Sequence, residues 1–304
     1  MSNPITHHVR RPVLSLLFIV LGCAETPEPP DPTDHPTDHP TDHPTGDSVA
    51  ELETPSASDS AAPDPEIAPT VATTSPTLPD FSSILDVTTL KRTFYEYLHP
   101  MVISENHRIQ TQRQHLKTMI RLQRKDSLTV SQTEWLVELA TEYRLGLDDG
   151  PGDAQHLQHL LQRVDVVPPA LALAQAAIES GWGRSRFARL GNNIYGEWCF
   201  KPGCGIVPQD RKAGAVHEIS AFDSPAGSIR SYMRNLNTHT AYSGWRDLRE
   251  AQRISGTPLS AHTLATGLTA YSELLEEYVT RVQTVIRQNA QLLAMPTATE
   301  PVSP

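Results

Sequence analysis

Three things are scarce in this chain of 304 residues, and each scarcity excludes something. Cysteine occurs three times, at positions 23, 199 and 204. A structural zinc site needs about four ligands, and only His217 stands near the later pair as a further candidate, so no metal is expected. Between Ala24 and Asp80 there is no Lys, no Arg and no aromatic residue, while 13 of the 26 prolines and 13 Asp or Glu fall there. Such a segment cannot bury enough apolar surface to offset the entropy of ordering it. No basic stripe with interleaved aromatics exists anywhere, which argues against nucleic acid as a partner. The one apolar run near the N-terminus, Pro12 to Leu21, is too short to span a bilayer as a mature helix.

What is present divides the chain sharply. Arg10 and Arg11, the apolar run, then Gly22 and Cys23 read as an export signal, and Val20-Leu21-Gly22-Cys23 resembles a bacterial lipobox. That resemblance implies cleavage before Cys23 and lipidation of it, a bilayer partner through this anchor and, with Ala24 next, sorting to the outer membrane on the periplasmic side. The acidic, proline-rich stretch repeats PTDH from Pro32, Pro36 and Pro40 and reads as an extended stalk. At about 3.1 Å per residue it could reach on the order of 180 Å. His35, His39 and His43 follow from the repeat rather than from metal ligation. Beyond residue 80 the charges balance at a formal +1, against −10 for the whole chain.

The stretch around which the folded part is organised is Ala174 to Gly196. Leu171 to Ile178 predicts an apolar, small-residue helix ending in Glu179, with Gly181 as its C′ stop. A carboxyl group in a last helical turn faces the negative end of the macrodipole, and Ile178 and Trp182 predict a poorly hydrated setting; both favour the protonated form. A protonated carboxyl near neutral pH is what cleavage of a glycosidic bond needs, because the leaving oxygen must receive a proton. Glu179 is therefore the candidate general acid.

The run A-I-E-S-G-W-G-R-S followed by G-N-N-I-Y-G resembles the signature of bacterial glucosaminidases, peptidoglycan hydrolases of the mannosyl-glycoprotein endo-β-N-acetylglucosaminidase type, and within them the Bax-type subgroup. The similarity continues in order through W-C-F-K-P-G-C-G, F-D-S-P-A-G-S-I-R-S-Y-M and A-Y-S-E-L, over roughly residues 167 to 289. It implies a mainly α (α+β), lysozyme-like helical domain with a small β-hairpin lobe, peptidoglycan glycan strands as partner and no cofactor. It further implies a second carboxylate on the lobe, Glu218, with Glu197 and Asp223 as competitors, and a tyrosine, Tyr271, that orients the sugar N-acetyl group. Trp182, Asn193 and Tyr195 are the candidate sugar-binding residues. The chain is expected to work as a monomer. A lytic transglycosylase, a muramidase and a wall-binding lipoprotein without turnover remain as rival readings.

Cys199 and Cys204 enclose a short loop, and in an exported chain they most simply form a disulfide. The expected layout is a signal over 1–22, the anchored stalk over 23–80, an N-terminal helical region over 81–165, the glucosaminidase domain over 166–290 and a flexible tail over 291–304. Within the helical region, order is expected from about residue 85, Pro100 is expected to interrupt the first helix, and Ser131 to Glu134 reads as a capping box. His156 and His159 read as surface histidines without carboxylate companions.

Overall fold

The computed structural model describes residues 78–146, 152–209, 211 and 214–294. The signal, the Cys23 anchor, the stalk and the end of the tail lie outside the described residues. Among those described, no helix is long and apolar enough to cross a membrane.

Ten α-helices and a three-stranded sheet make up the structure described here, which is mainly helical with a small β-lobe. A short 3₁₀ turn, Phe81–Ser83, precedes α1 (Val87–Gln123), capped by the Asp86 carboxylate on the Thr89 amide. Order thus begins earlier than residue 85. Pro100 does not interrupt this helix: 37 residues run through it. The proline removes one backbone donor, but Leu98 and Val102 on either side are fully buried, and packing of that face holds the helix together.

α2 (Val130–Glu142) has its capping box at Thr129 and Gln132, two residues before the expected pair, and Val130 is exposed. It ends at Tyr143 and Arg144. Arg144 takes the left-handed conformation and Leu145 N–H reaches back to the Ala140 carbonyl, the closing bond of a Schellman turn. α3 (Ala154–Arg163) starts at Asp153, whose carboxylate accepts from two backbone amides and contacts His156 Nδ1 at 2.9 Å. His156 therefore does have a carboxylate companion, exposed and belonging to the helix cap.

α4 (Pro169–Glu179) is followed by α5 (Arg186–Gly191), β1 (Trp198–Cys199), β2 (Gly205–Ile206) and β3 (Glu218–Ser220). β3 lies between the other two and pairs antiparallel with both, Cys199 opposite Glu218 and Ile206 opposite Ile219. The central strand, β3, is three residues long. α6 (Pro225–Thr238), α7 (Ser243–Ile254), α8 (Ala261–Leu264), α9 (Glu276–Gln288) and α10 (Ala290–Leu293) complete the chain. α10 packs on α4 and α9 and buries Leu293, so the region just past Asn289 is part of the fold rather than frayed.

One hydrophobic core runs from Phe81 to Leu293 and draws on both the 81–165 segment and the segment that follows. α1 packs against α4 and α6. Asn106 in α1 exchanges two hydrogen bonds with the Val167 backbone, and Arg113 donates to the Val164 carbonyl at 2.9 Å. Asp165, 2 % exposed, sits among Arg113, Arg249 and Arg253. Burial pushes its carboxyl up, but the three guanidiniums, Arg249 foremost, outweigh that and hold it below the usual range. This hub fixes the approach to α4, whose last residue is Glu179.

Candidate active site

The end of α4 is built by a Schellman turn of its own. With Ser180 as C-cap, Gly181 N–H bonds to the Ile178 carbonyl and Trp182 N–H to the Ala177 carbonyl at 2.9 Å. Gly181, Trp182 and Gly183 all have positive φ, a tight left-handed run that costs little at the glycines and strains the tryptophan. The Ser180 hydroxyl ties it down by donating to the Ala176 carbonyl and accepting from Gly183 N–H at 2.8 Å. Gly183 could carry no side chain, because a Cβ would fall 2.3 Å from the Phe81 ring. Arg184 donates to the Phe81 and Ile84 carbonyls and closes the same contact from the other side.

Glu179 is thereby the last residue of its helix, as the sequence implies. Burial pushes its carboxyl up to about 8; a hydrogen bond from Tyr278 and the charge of Arg281 pull the other way without prevailing. The Tyr278 hydroxyl donates to Oε1 at 2.6 Å. Oε2 makes no hydrogen bond among the described residues, and Glu179 is partly buried, so Oε2 is the oxygen left without a protein partner. Beside it lies Gly196, where a Cβ would come within 3.8 Å of Oε2.

Five of the eight tyrosines form one run of ring contacts that reaches this carboxyl through Tyr278. Tyr195 stacks on Tyr232 at 3.8 Å between centroids, Tyr271 stacks on Tyr278 at 5.4 Å, and Tyr242 leans on Tyr271. All five are buried, which raises each phenol above its ordinary value.

The sequence candidates fall in different places around this centre. Trp182 is partly buried, edge-on to Phe94 and Tyr95, with Lys91 Nζ 5.1 Å from its ring centroid. Tyr271 is one ring away from Glu179 and gives its hydroxyl to the Tyr195 carbonyl at 3.3 Å. Asn193 and Tyr195 both lie inside the fold. Asn193 is 1 % exposed and its amide is spent on backbone, donating to the Glu197 and Ser220 carbonyls and accepting from Glu197 N–H. It latches the β-lobe to the helical body, and Tyr195 is a fully buried stacking partner of Tyr232.

Glu218 is held on the lobe by backbone amides, Gly203 N–H on one oxygen at 3.0 Å and Gly205 N–H on the other at 2.9 Å. Those two bonds keep its carboxyl below the usual range. They also clamp the loop that the Cys199–Cys204 disulfide closes. Both sulfurs lie close to the Glu218 carboxylate, but a disulfide offers no thiolate to a metal. No hydrogen bond joins Glu218 to Glu179 among the described residues. Glu197 differs: burial pushes it up to about 7, the Ser231 hydroxyl donates to Oε2 at 2.7 Å, and Oε1 is buried without a partner. Asp223 is exposed.

The functional residue that sequence reasoning missed is Tyr278. Its place among Leu274, Val279 and Val282 gave it the look of one more apolar position on the last long helix.

The glucosaminidase family model, described as mannosyl-glycoprotein endo-beta-N-acetylglucosaminidase, matches residues 154–291, from the first turn of α3 to α10. Protein bax of Escherichia coli (strain K12) is 31% identical over 222 residues, covering 72% of this chain and 77% of that protein. No solved structure matches. The match to Protein bax extends well beyond the span of the family model, and with Glu179 at the end of α4 it leads to one conclusion: this chain belongs to the Bax-type glucosaminidase family.

Proposed function

We propose that the chain is a peptidoglycan hydrolase that cleaves N-acetylglucosaminyl β-1,4 bonds, with Glu179 giving its proton to the leaving oxygen. The observation that carries this is the carboxyl at the end of α4: pushed up to about 8 by burial, with one oxygen bonded by Tyr278 and the other without a protein partner. Such a group enters the reaction protonated at neutral pH. Trp182, partly exposed next to it, offers an apolar ring edge to a saccharide. Tyr271 acts in this reading as the buttress of Tyr278, since its hydroxyl is occupied by the Tyr195 carbonyl. Glu218 acts as the clamp of the lobe loop. Water is then activated most simply by the acetamido group of the substrate, which needs no second free carboxylate.

The enzyme works, in this proposal, as a monomer at the periplasmic face of the cell envelope, held through lipidated Cys23. Intact mass of the native chain tests the anchor: a diacylated or triacylated Cys23 supports it, and an unmodified soluble species rejects it. Digestion of purified peptidoglycan, followed by reduction and mass spectrometry, tests the activity. Reducing N-acetylglucosamine ends are expected. Anhydro ends would identify a transglycosylase, reducing N-acetylmuramic ends a muramidase, and binding without product a wall-binding lipoprotein.

A further inference from the structure

Behind Glu179 lies a line of buried polar atoms that the proposed reaction has not yet used. Gln175 is four residues earlier on α4, one turn below Glu179, and fully buried. Its Nε2 donates to the Tyr278 hydroxyl at 2.9 Å, and its Oε1 accepts from the Tyr232 hydroxyl at 2.7 Å. Tyr278 in turn donates to Glu179 Oε1.

The direction of this line is forced by its far end. The Tyr232 hydroxyl is buried and has no other acceptor among the described residues, so its proton must go to the carbonyl oxygen of Gln175. The amide nitrogen then faces Tyr278, and an NH₂ group only donates. The Tyr278 oxygen accepts that bond, leaving its single proton for Glu179. An amide turned the other way would strand the Tyr232 proton in an apolar setting.

We propose that Gln175 and Tyr278 are positioning residues that orient the Glu179 carboxyl so that its Oε1 accepts and its proton is carried on Oε2, the oxygen that no protein group bonds. Tyr232 sets the sense of the relay from the opposite end. This rests on Glu179 being the general acid. In the transfer step the Oε2–H bond breaks as the leaving oxygen takes the proton. Negative charge then develops on the carboxylate, and the Tyr278 O–H, already aimed at Oε1, stabilises it without rearrangement.

The charged and titratable groups around Glu179 are few. Tyr278 and Arg281 come from α9, Tyr232 from α6, and Tyr242 and Tyr271 from the turns before and after α7 and α8; burial raises all four phenols. The Glu197 charge bears on Tyr195, Tyr232 and Tyr242 but does not figure among those acting on Glu179.

The test is the titration of Glu179 itself in the intact chain, followed by its carboxyl infrared band and identified by loss of that band in Glu179→Gln. Tyr278→Phe keeps the ring and deletes the donor, and should raise the Glu179 titration by about one to two pH units, the worth of a hydrogen bond to a charged group. Gln175→Met leaves Tyr278 in place but frees it to turn, and should move the titration the same way by less. The alkaline limb of kcat/KM on peptidoglycan should follow both shifts. A merely structural role would lower Tm and leave the titration where it is. An unmoved Glu179 titration in folded Tyr278→Phe overturns the relay even if the wild type cleaves glycan. A shifted titration in a wild-type chain that releases no product keeps the relay and removes the proposed activity.

Discussion

Glu179 and Glu218 are two glutamates in two kinds of structure, and the fold treats them oppositely. Glu179 ends a helix inside the fold, and burial pushes its carboxyl up to about 8. Glu218 lies on the central strand of a three-stranded lobe, where two glycine amides donate to it and hold its carboxyl below the usual range. Side-chain chemistry is identical; surroundings decide. Burial without a backbone donor favours the acid, whereas a loop that presents two amides favours the anion, which serves as a staple.

The largest effect expected from this contrast is on turnover. Glu179→Gln should lose activity by about 10²–10⁴-fold, the usual worth of a positioned general acid, with its far-ultraviolet circular dichroism unchanged. Glu218→Gln should retain turnover within about tenfold, since its loss loosens a loop and not the proton path. Equal losses in both, measured as muropeptide release, would break the comparison and return Glu218 to the role of base.

A smaller effect should appear in the pH dependence of Tm. The Glu179 carboxyl holds its proton more tightly folded than unfolded, so its contribution to stability is complete below the ordinary glutamate range and is lost as pH rises through about 8. Glu179→Gln should therefore gain on the wild type between pH 5 and pH 9. Glu218 runs the other way: its contribution is present above the ordinary glutamate range and disappears as pH falls below it. Glu218→Gln should lag the wild type most at neutral pH and converge with it in acid. Gaps of the same sign for the two variants would mean that the two environments differ less than the geometry indicates.

The contrast also explains what could be read in advance. Glu179 was legible because all its determinants are local: small apolar residues, a carboxylate, then Gly181 within two positions. The disulfide pair was legible for the same reason. Pro100 misled because the local rule against internal proline competes with burial of Leu98 and Val102, which no short window reveals. The latch made by Asn193 was not legible because its partners, the carbonyls of Glu197 and Ser220, are assembled only when the lobe folds back. Tyr278 was invisible as a partner of Glu179 because 99 residues separate them and nothing in an amphipathic pattern distinguishes a tyrosine that packs from one that also donates. What the sequence concealed was mostly long-range polar pairing.

The meeting of Phe81 with Gly183 bears on where this domain can be cut. A boundary drawn from helices alone would start the domain at Val87 and discard the 3₁₀ turn before it. That deletion would remove the ring that fills the space left by a glycine of the Glu179 turn, and with it the two carbonyls that accept from Arg184. Trp182 would lose part of its backing through Phe94, which packs edge-on to Phe81. Phe81 and its turn, six positions ahead of α1, thus belong to the candidate site in space, and a shortened chain lacking them could be folded, soluble and still miss the geometry around Glu179.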